Sequence, residues 1–104
     1  MQRIPLRAAP NQSQQIVLGG QNCTLRLYTR TYDGTDRLYC DLAVDQNLVF
    51  GGVICQDMTG LKLYGYQPLA GQLFFVDMEG DDDPVWSGLN DRFRLVYLEE
   101  GETL

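Results

Sequence analysis

Apolar residues along this chain fall in short runs at alternating positions, broken at close intervals by Gly, Asp and Asn. Val, Ile, Leu, Tyr, Phe and Thr dominate the runs, and no window sustains the 3.6-residue period of a helix. The pattern predicts an all-β domain of about seven strands joined by hairpins, folded as an antiparallel β-sandwich or a small β-barrel. Two turns are written plainly. Gly19-Gly20 divides the run QQIVL from QNCTLRLYTRT, and Asp33-Gly34 divides that run from RLYCDL.

The second turn fixes a register. With Asp33 and Gly34 at its centre, Leu27 faces Cys40, Leu25 faces Leu42, Cys23 faces Val44 and Thr29 faces Leu38. One face of the hairpin is then almost wholly apolar. The other carries Tyr28 opposite Tyr39 and Arg26 opposite Asp41, an aromatic pair and a salt pair. Further strands are expected in LVFGGVIC, after a turn at Asp45-Gln46-Asn47 and with a kink or bulge at Gly51-Gly52. GQLFFVDM and RFRLVYL complete the set, the latter with Phe93, Leu95 and Tyr97 on one face. Between LVFGGVIC and GQLFFVDM, the segment QDMTGLKLYGYQPLAG is irregular. Ile4 to Ala8, in a segment with Pro5 and Pro10, is either an edge strand or an extended arm within residues 1–12. Residues 99–104 are a polar, fraying tail.

At 104 residues the chain fits a single domain able to bury a core of its own. No apolar run approaches the roughly 20 residues that span a bilayer. The N-terminal segment lacks the apolar stretch of a secretory signal, so synthesis and folding in the cytoplasm are expected. The three cysteines, Cys23, Cys40 and Cys55, sit in apolar runs and read as buried small hydrophobes rather than as a disulfide framework or metal site. The chain has no histidine, which excludes Ser-His-Asp and Cys-His catalysis and His-based zinc sites within it. No enzyme mechanism and no cofactor are expected.

Net charge is −6 and unevenly distributed. Residues 1–32 carry four arginines and no acid, whereas residues 33–104 carry four basic and fourteen acidic residues. An acidic chain is a poor ligand for nucleic acid. The stretch MEGDDDPVW gathers four acids beside the only tryptophan. Asp77, Glu79, Asp81 and Asp83 alternate as calcium ligands can, but Asp82 and Gly88 stand where an EF-hand needs its Gly and Glu. Adjacent acids on one exposed loop share an environment, which suits no acid–base pair. A structured turn, with Gly80 and Pro84 shaping the backbone and Arg92 available to pair with the acids, is the simplest reading.

Several segments resemble the small baseplate plug proteins of contractile-tailed phages. They are RIPLRAAPNQS, LGGQNCTLRLYTR, LYCDL and the ending GQLFFVDMEGDDDPVWSGLNDRFRLVYLEE. The resemblance runs from Arg3 to about Glu100. It departs at Gly88-Leu89-Asn90, where a Leu-Gly pair is expected, and in its three cysteines. It implies a virion structural protein of the tail baseplate, seated near the hub, the tail tube and the spike in a symmetric assembly, without catalytic residues. Side-chain chemistry nominates contact residues: Arg3 and Arg7 on the N-terminal segment, the aromatics Tyr64, Tyr66 and Trp86, and the acids Asp81, Asp82 and Asp83. Two other readings fit the residues. One is a stand-alone acidic module of the inhibitor or immunity type that captures a basic partner. The other is a calcium-dependent carbohydrate-binding domain.

Overall fold

The computed structural model describes residues 2–62 and 69–102. Seven strands run in order: β1 (Gln2–Ile4), β2 (Asn11–Leu18), β3 (Gln21–Tyr32), β4 (Thr35–Val44), β5 (Asn47–Ile54), β6 (Gln72–Asp77) and β7 (Phe93–Leu98). They form two antiparallel sheets, one ordered β2-β3-β4-β5 and the other β1-β7-β6. Neither closes on itself, so the architecture is the sandwich and not the barrel.

The four-stranded sheet is a meander of three two-residue turns. Gly19-Gly20, Asp33-Gly34 and Asp45-Gln46 all have positive φ at both central positions, the type I′ conformation that matches strand twist. The first two contain glycine and are legible in the sequence. The third places Asp45 and Gln46 at φ 49° and 70°, and Asn47 opens β5 rather than closing the turn. The β3–β4 register is the expected one, with Leu25 opposite Leu42 and Leu27 opposite Cys40. Tyr28 and Tyr39 stack with ring centroids 6.0 Å apart. At Gly51-Gly52 the β4–β5 register shifts, so a bulge stands opposite Asp41.

One core lies between the sheets. Leu25, Leu27, Leu38, Cys40 and Leu42 meet Leu73, Phe75, Leu95 and Tyr97, and Ile4 joins them from β1. Each leucine fully buried there contributes about 1.5–3 kcal/mol relative to exposure. Cys23, Cys40 and Cys55 are buried and unpaired, and burial pushes the Cys23 and Cys40 thiols up in pKa, away from the reactive thiolate.

The N-terminal segment forms edge strand β1, paired with β7 as Gln2–Tyr97, Arg3–Val96 and Ile4–Leu95. It begins and ends earlier than the Ile4–Ala8 span because Pro5 has no N–H to continue the ladder. The chain then crosses to the other sheet, and β2 starts immediately after Pro10. Residues 99–102 form a turn: Glu102 N–H donates to the Glu99 carbonyl at 3.0 Å, and Glu99 N–H donates to the Glu102 carboxylate at 2.8 Å.

Where the backbone is irregular, glutamine side chains take the place of a neighbouring strand. A primary amide offers one acceptor and donors, as a peptide group does. Gln12 accepts from Arg7 N–H at 3.0 Å and donates to Arg7 C=O at 2.7 Å. Gln14 donates to Pro5 C=O at 2.8 Å. Gln72 accepts from Lys62 N–H and donates to Lys62 C=O, both at 2.7 Å. These bonds satisfy backbone that no strand reaches, exposed at Pro5 and Arg7 and half-buried at Lys62.

Candidate functional site

The acidic turn is built around one residue that closes β6. Asp77 has a fully buried side chain, and its carboxylate accepts four hydrogen bonds. Arg92 donates through Nε to Oδ1 and through Nη2 to Oδ2, both at 2.8 Å. The backbone N–H groups of Glu79 and Asp82 donate to Oδ1 and Oδ2, both at 2.9 Å. The Arg92 guanidinium, with these N–H bonds, holds the Asp77 carboxyl well below the usual carboxylate range. Asp77 in turn raises the Arg92 pKa further, with Asp82 assisting.

The other acids are drawn into the same framework. Asp82 accepts from Arg92 Nη2 at 2.8 Å, while Glu79 stands 3.9 Å from Arg92 Nε. Asp83 accepts from Asp57 N–H at 3.1 Å, and Asp57 accepts from Asp77 N–H at 2.8 Å. The turn is thereby tied to the connection between β5 and β6. Asp81 is exposed and has no partner among the described residues. Among those residues no group of three or more His, Cys, Asp or Glu side chains is arranged around a common cation position. The positive charge at the centre of the turn is the guanidinium.

The other nominated residues lie apart. Arg3 is committed within the chain: its Nη2 donates to the Asn90 backbone carbonyl at 2.9 Å and to Asn90 Oδ1 at 3.2 Å. Leu6 N–H also donates to Asn90 Oδ1, so β1 is stitched to the loop before β7. Arg7 is exposed, and its side chain has no partner among the described residues. Trp86 opens a 3₁₀ turn over Trp86–Gly88 and is half-buried against the core. Tyr64 and Tyr66 lie outside the described residues.

A second polar centre lies on the outer face of the four-stranded sheet. Asp41 Oδ1 accepts from Tyr28 OH at 3.0 Å and from Gly52 N–H at 2.7 Å, and Asp41 Oδ2 lies 3.8 Å from Arg26. The bulge at Gly51-Gly52 thus has its turned-out N–H satisfied by the carboxylate opposite. Reading the sequence found the Arg26–Asp41 pair but not the bulge contact, because a side chain's choice of backbone donor depends on the register shift. Asp77 was missed for a related reason. In sequence it is one acid among several, and only burial distinguishes it.

A concavity of about 470 Å³ lies beside the β2–β3 and β4–β5 turns, lined by Gln15, Val17, Asn22, Thr24, Asp45 and Gln46. It holds one carboxylate and no base or nucleophile pair.

A two-sheet antiparallel β-sandwich whose acidic turn is held by the Arg92–Asp77 pair defines the class, a small all-β domain. The chain belongs to a phage baseplate plug family. The model of that family, the cyanophage baseplate Pam3 plug gp18, matches residues 1–100. No curated protein matches the chain.

Proposed function

We propose that this protein closes or organises the central end of a contractile tail, where hub, tail tube and spike meet, as a structural part without catalytic activity. Membership of the baseplate plug family over residues 1–100 is the observation that carries the reading. The geometry supports it: a two-sheet sandwich whose acidic turn is held by the Arg92 ion pairs with Asp77 and Asp82. Tail proteins of this kind are made in the host cytoplasm and enter the particle by assembly. The test is peptide mass spectrometry of purified tailed particles from the source. The chain is expected at a few copies per particle beside hub and tube proteins. Its absence from intact particles would overturn the reading and direct attention to soluble partners.

A further inference from the structure

The β3–β4 hairpin is longer than its neighbours. β2 begins at Asn11, opposite Tyr28, and β5 ends at Ile54, opposite Tyr39. Residues 30–37 therefore extend beyond both neighbouring strands as a two-stranded finger of exposed residues, with Thr35–Arg37 across a cavity from Asp83, Pro84 and Val85. A bare two-stranded ribbon is marginal in water.

The outer face of this finger and of the sheet behind it carries a stripe of arginine and tyrosine, with Asp41 at its base opposite Arg26. Along β3 the residues facing out are Arg26, Tyr28, Arg30 and Tyr32, and Arg37 and Tyr39 stand beside them on β4. Arg26 and Arg30 flank the Tyr28 ring at 5.1 Å and 5.2 Å from its centroid. Tyr32, near the tip, is 74% exposed. Arg30 and Arg37 are direct cross-strand partners. Like charges so placed repel, and neither has a carboxylate partner among the described residues. The type I′ turn at Asp33-Gly34 holds them in this register.

We infer that this Arg/Tyr stripe is a docking surface for a carboxylate-bearing face of a different baseplate protein. The inference rests on the baseplate reading and adds the surface and the chemistry of its partner. Arg and Tyr are the residue types that anchor protein interfaces, and planar guanidinium groups match carboxylates in pairs. The paired, unneutralised arginines gain most from such a partner. Nucleic acid is disfavoured by the net charge of −6.

Arg37→Glu is the discriminating variant. It places an opposite charge across from Arg30, so the fold keeps or gains stability, while the stripe loses its paired positive charge. Phage lacking the gene is complemented with wild type, Arg37→Glu or Tyr32→Ala, and particles are analysed by mass spectrometry. The expected result is wild-type incorporation, a drop of at least about tenfold for Arg37→Glu, and an unchanged or higher melting temperature for that purified variant. Incorporation of both variants at the wild-type level overturns the docking surface and leaves the baseplate role standing. Absence of the wild-type chain from particles overturns both. A photo-crosslinker at position 32 in assembled particles is expected to capture an Asp/Glu-rich peptide of another baseplate protein. Capture of DNA, or only of a second copy, overturns the inference.

Discussion

Arg92 grips Asp77 with two parallel hydrogen bonds of 2.8 Å, joining the residue before β7 to the last residue of β6. The backbone repeats the link one step on, where Met78 N–H donates to the Arg92 carbonyl at 2.8 Å. This fork-to-fork pair turns a self-repelling acidic sequence into a fixed turn, because one guanidinium neutralises two carboxylates and a third stands nearby. Removing Arg92 leaves the Asp77 carboxylate buried without a counter-charge. Arg92→Leu is expected to lower the melting temperature well beyond the effect of Arg94→Leu. Arg94 lacks a carboxylate partner among the described residues and donates only to the Asp91 carbonyl, at 3.3 Å. Equal effects in thermal unfolding would show that the pair is incidental.

The same pair sets a pH dependence. Asp77 has its folded pKa depressed below the unfolded value of about 3.9. Its contribution to stability is therefore fully present above that value and is lost as pH falls through the lower, folded one. In urea titrations from pH 7 downward, wild type is expected to lose stability below about pH 4. Asp77→Asn, weaker at pH 7, should converge with wild type in that range. A constant gap between the two down to pH 2.5, about a unit and a half below the unfolded pKa, would contradict the assignment.

Calcium should leave the protein unmoved. The oxygens of Asp77 and Asp82 already receive Arg92, and a second cation among them would face the guanidinium. Millimolar Ca²⁺ is expected to cause no rise in melting temperature and no titration heat. A rise in melting temperature would revive the calcium-dependent carbohydrate reading.

Glutamine 72 carries a role that charge cannot fill. It satisfies both the N–H and the C=O of Lys62. In Gln72→Glu the carboxylate can still accept from the N–H but has no donor for the carbonyl. The loss is expected at about 1–3 kcal/mol, measured by urea unfolding at neutral pH, with partial recovery at low pH where the acid regains a proton. An unchanged midpoint would mean that the connection holds without the amide.

The two N-terminal arginines separate folding from contact. Arg3→Ala removes the bonds to Asn90 and should cost about 0.5–1.5 kcal/mol. Arg7→Ala removes a side chain with no partner among the described residues and should leave stability within about 0.5 kcal/mol. A fall in particle incorporation of Arg7→Ala alone would therefore report a contact. If Arg7→Ala instead unfolds readily, the exposed position has a structural role within the sandwich.

Fold class, the three-turn meander and the β3–β4 register could be read from the sequence, because they depend on local rules. Period-two patterning marks which face is buried, and glycine at positive φ marks where a hairpin turns. β2 was only half legible. Its first positions are polar, and Gln12 and Gln14 serve irregular backbone rather than the core. The third turn was legible at Asp45-Gln46-Asn47, but without a glycine its two central residues, Asp45 and Gln46, were not.

The pairing of the acidic turn was foreseen for Arg92, but not the choice of Asp77 as its centre. That choice depends on which carboxylate the sandwich buries at the end of β6, a consequence of how far β6 and β7 run together. Likewise, the sequence alone places Arg26, Tyr28, Arg30 and Tyr32 on one face, since strand alternation does so. That they project beyond the sheet was decided by where β2 and β5 stop pairing, and strand ends in a sheet are set by contacts between segments distant in the chain.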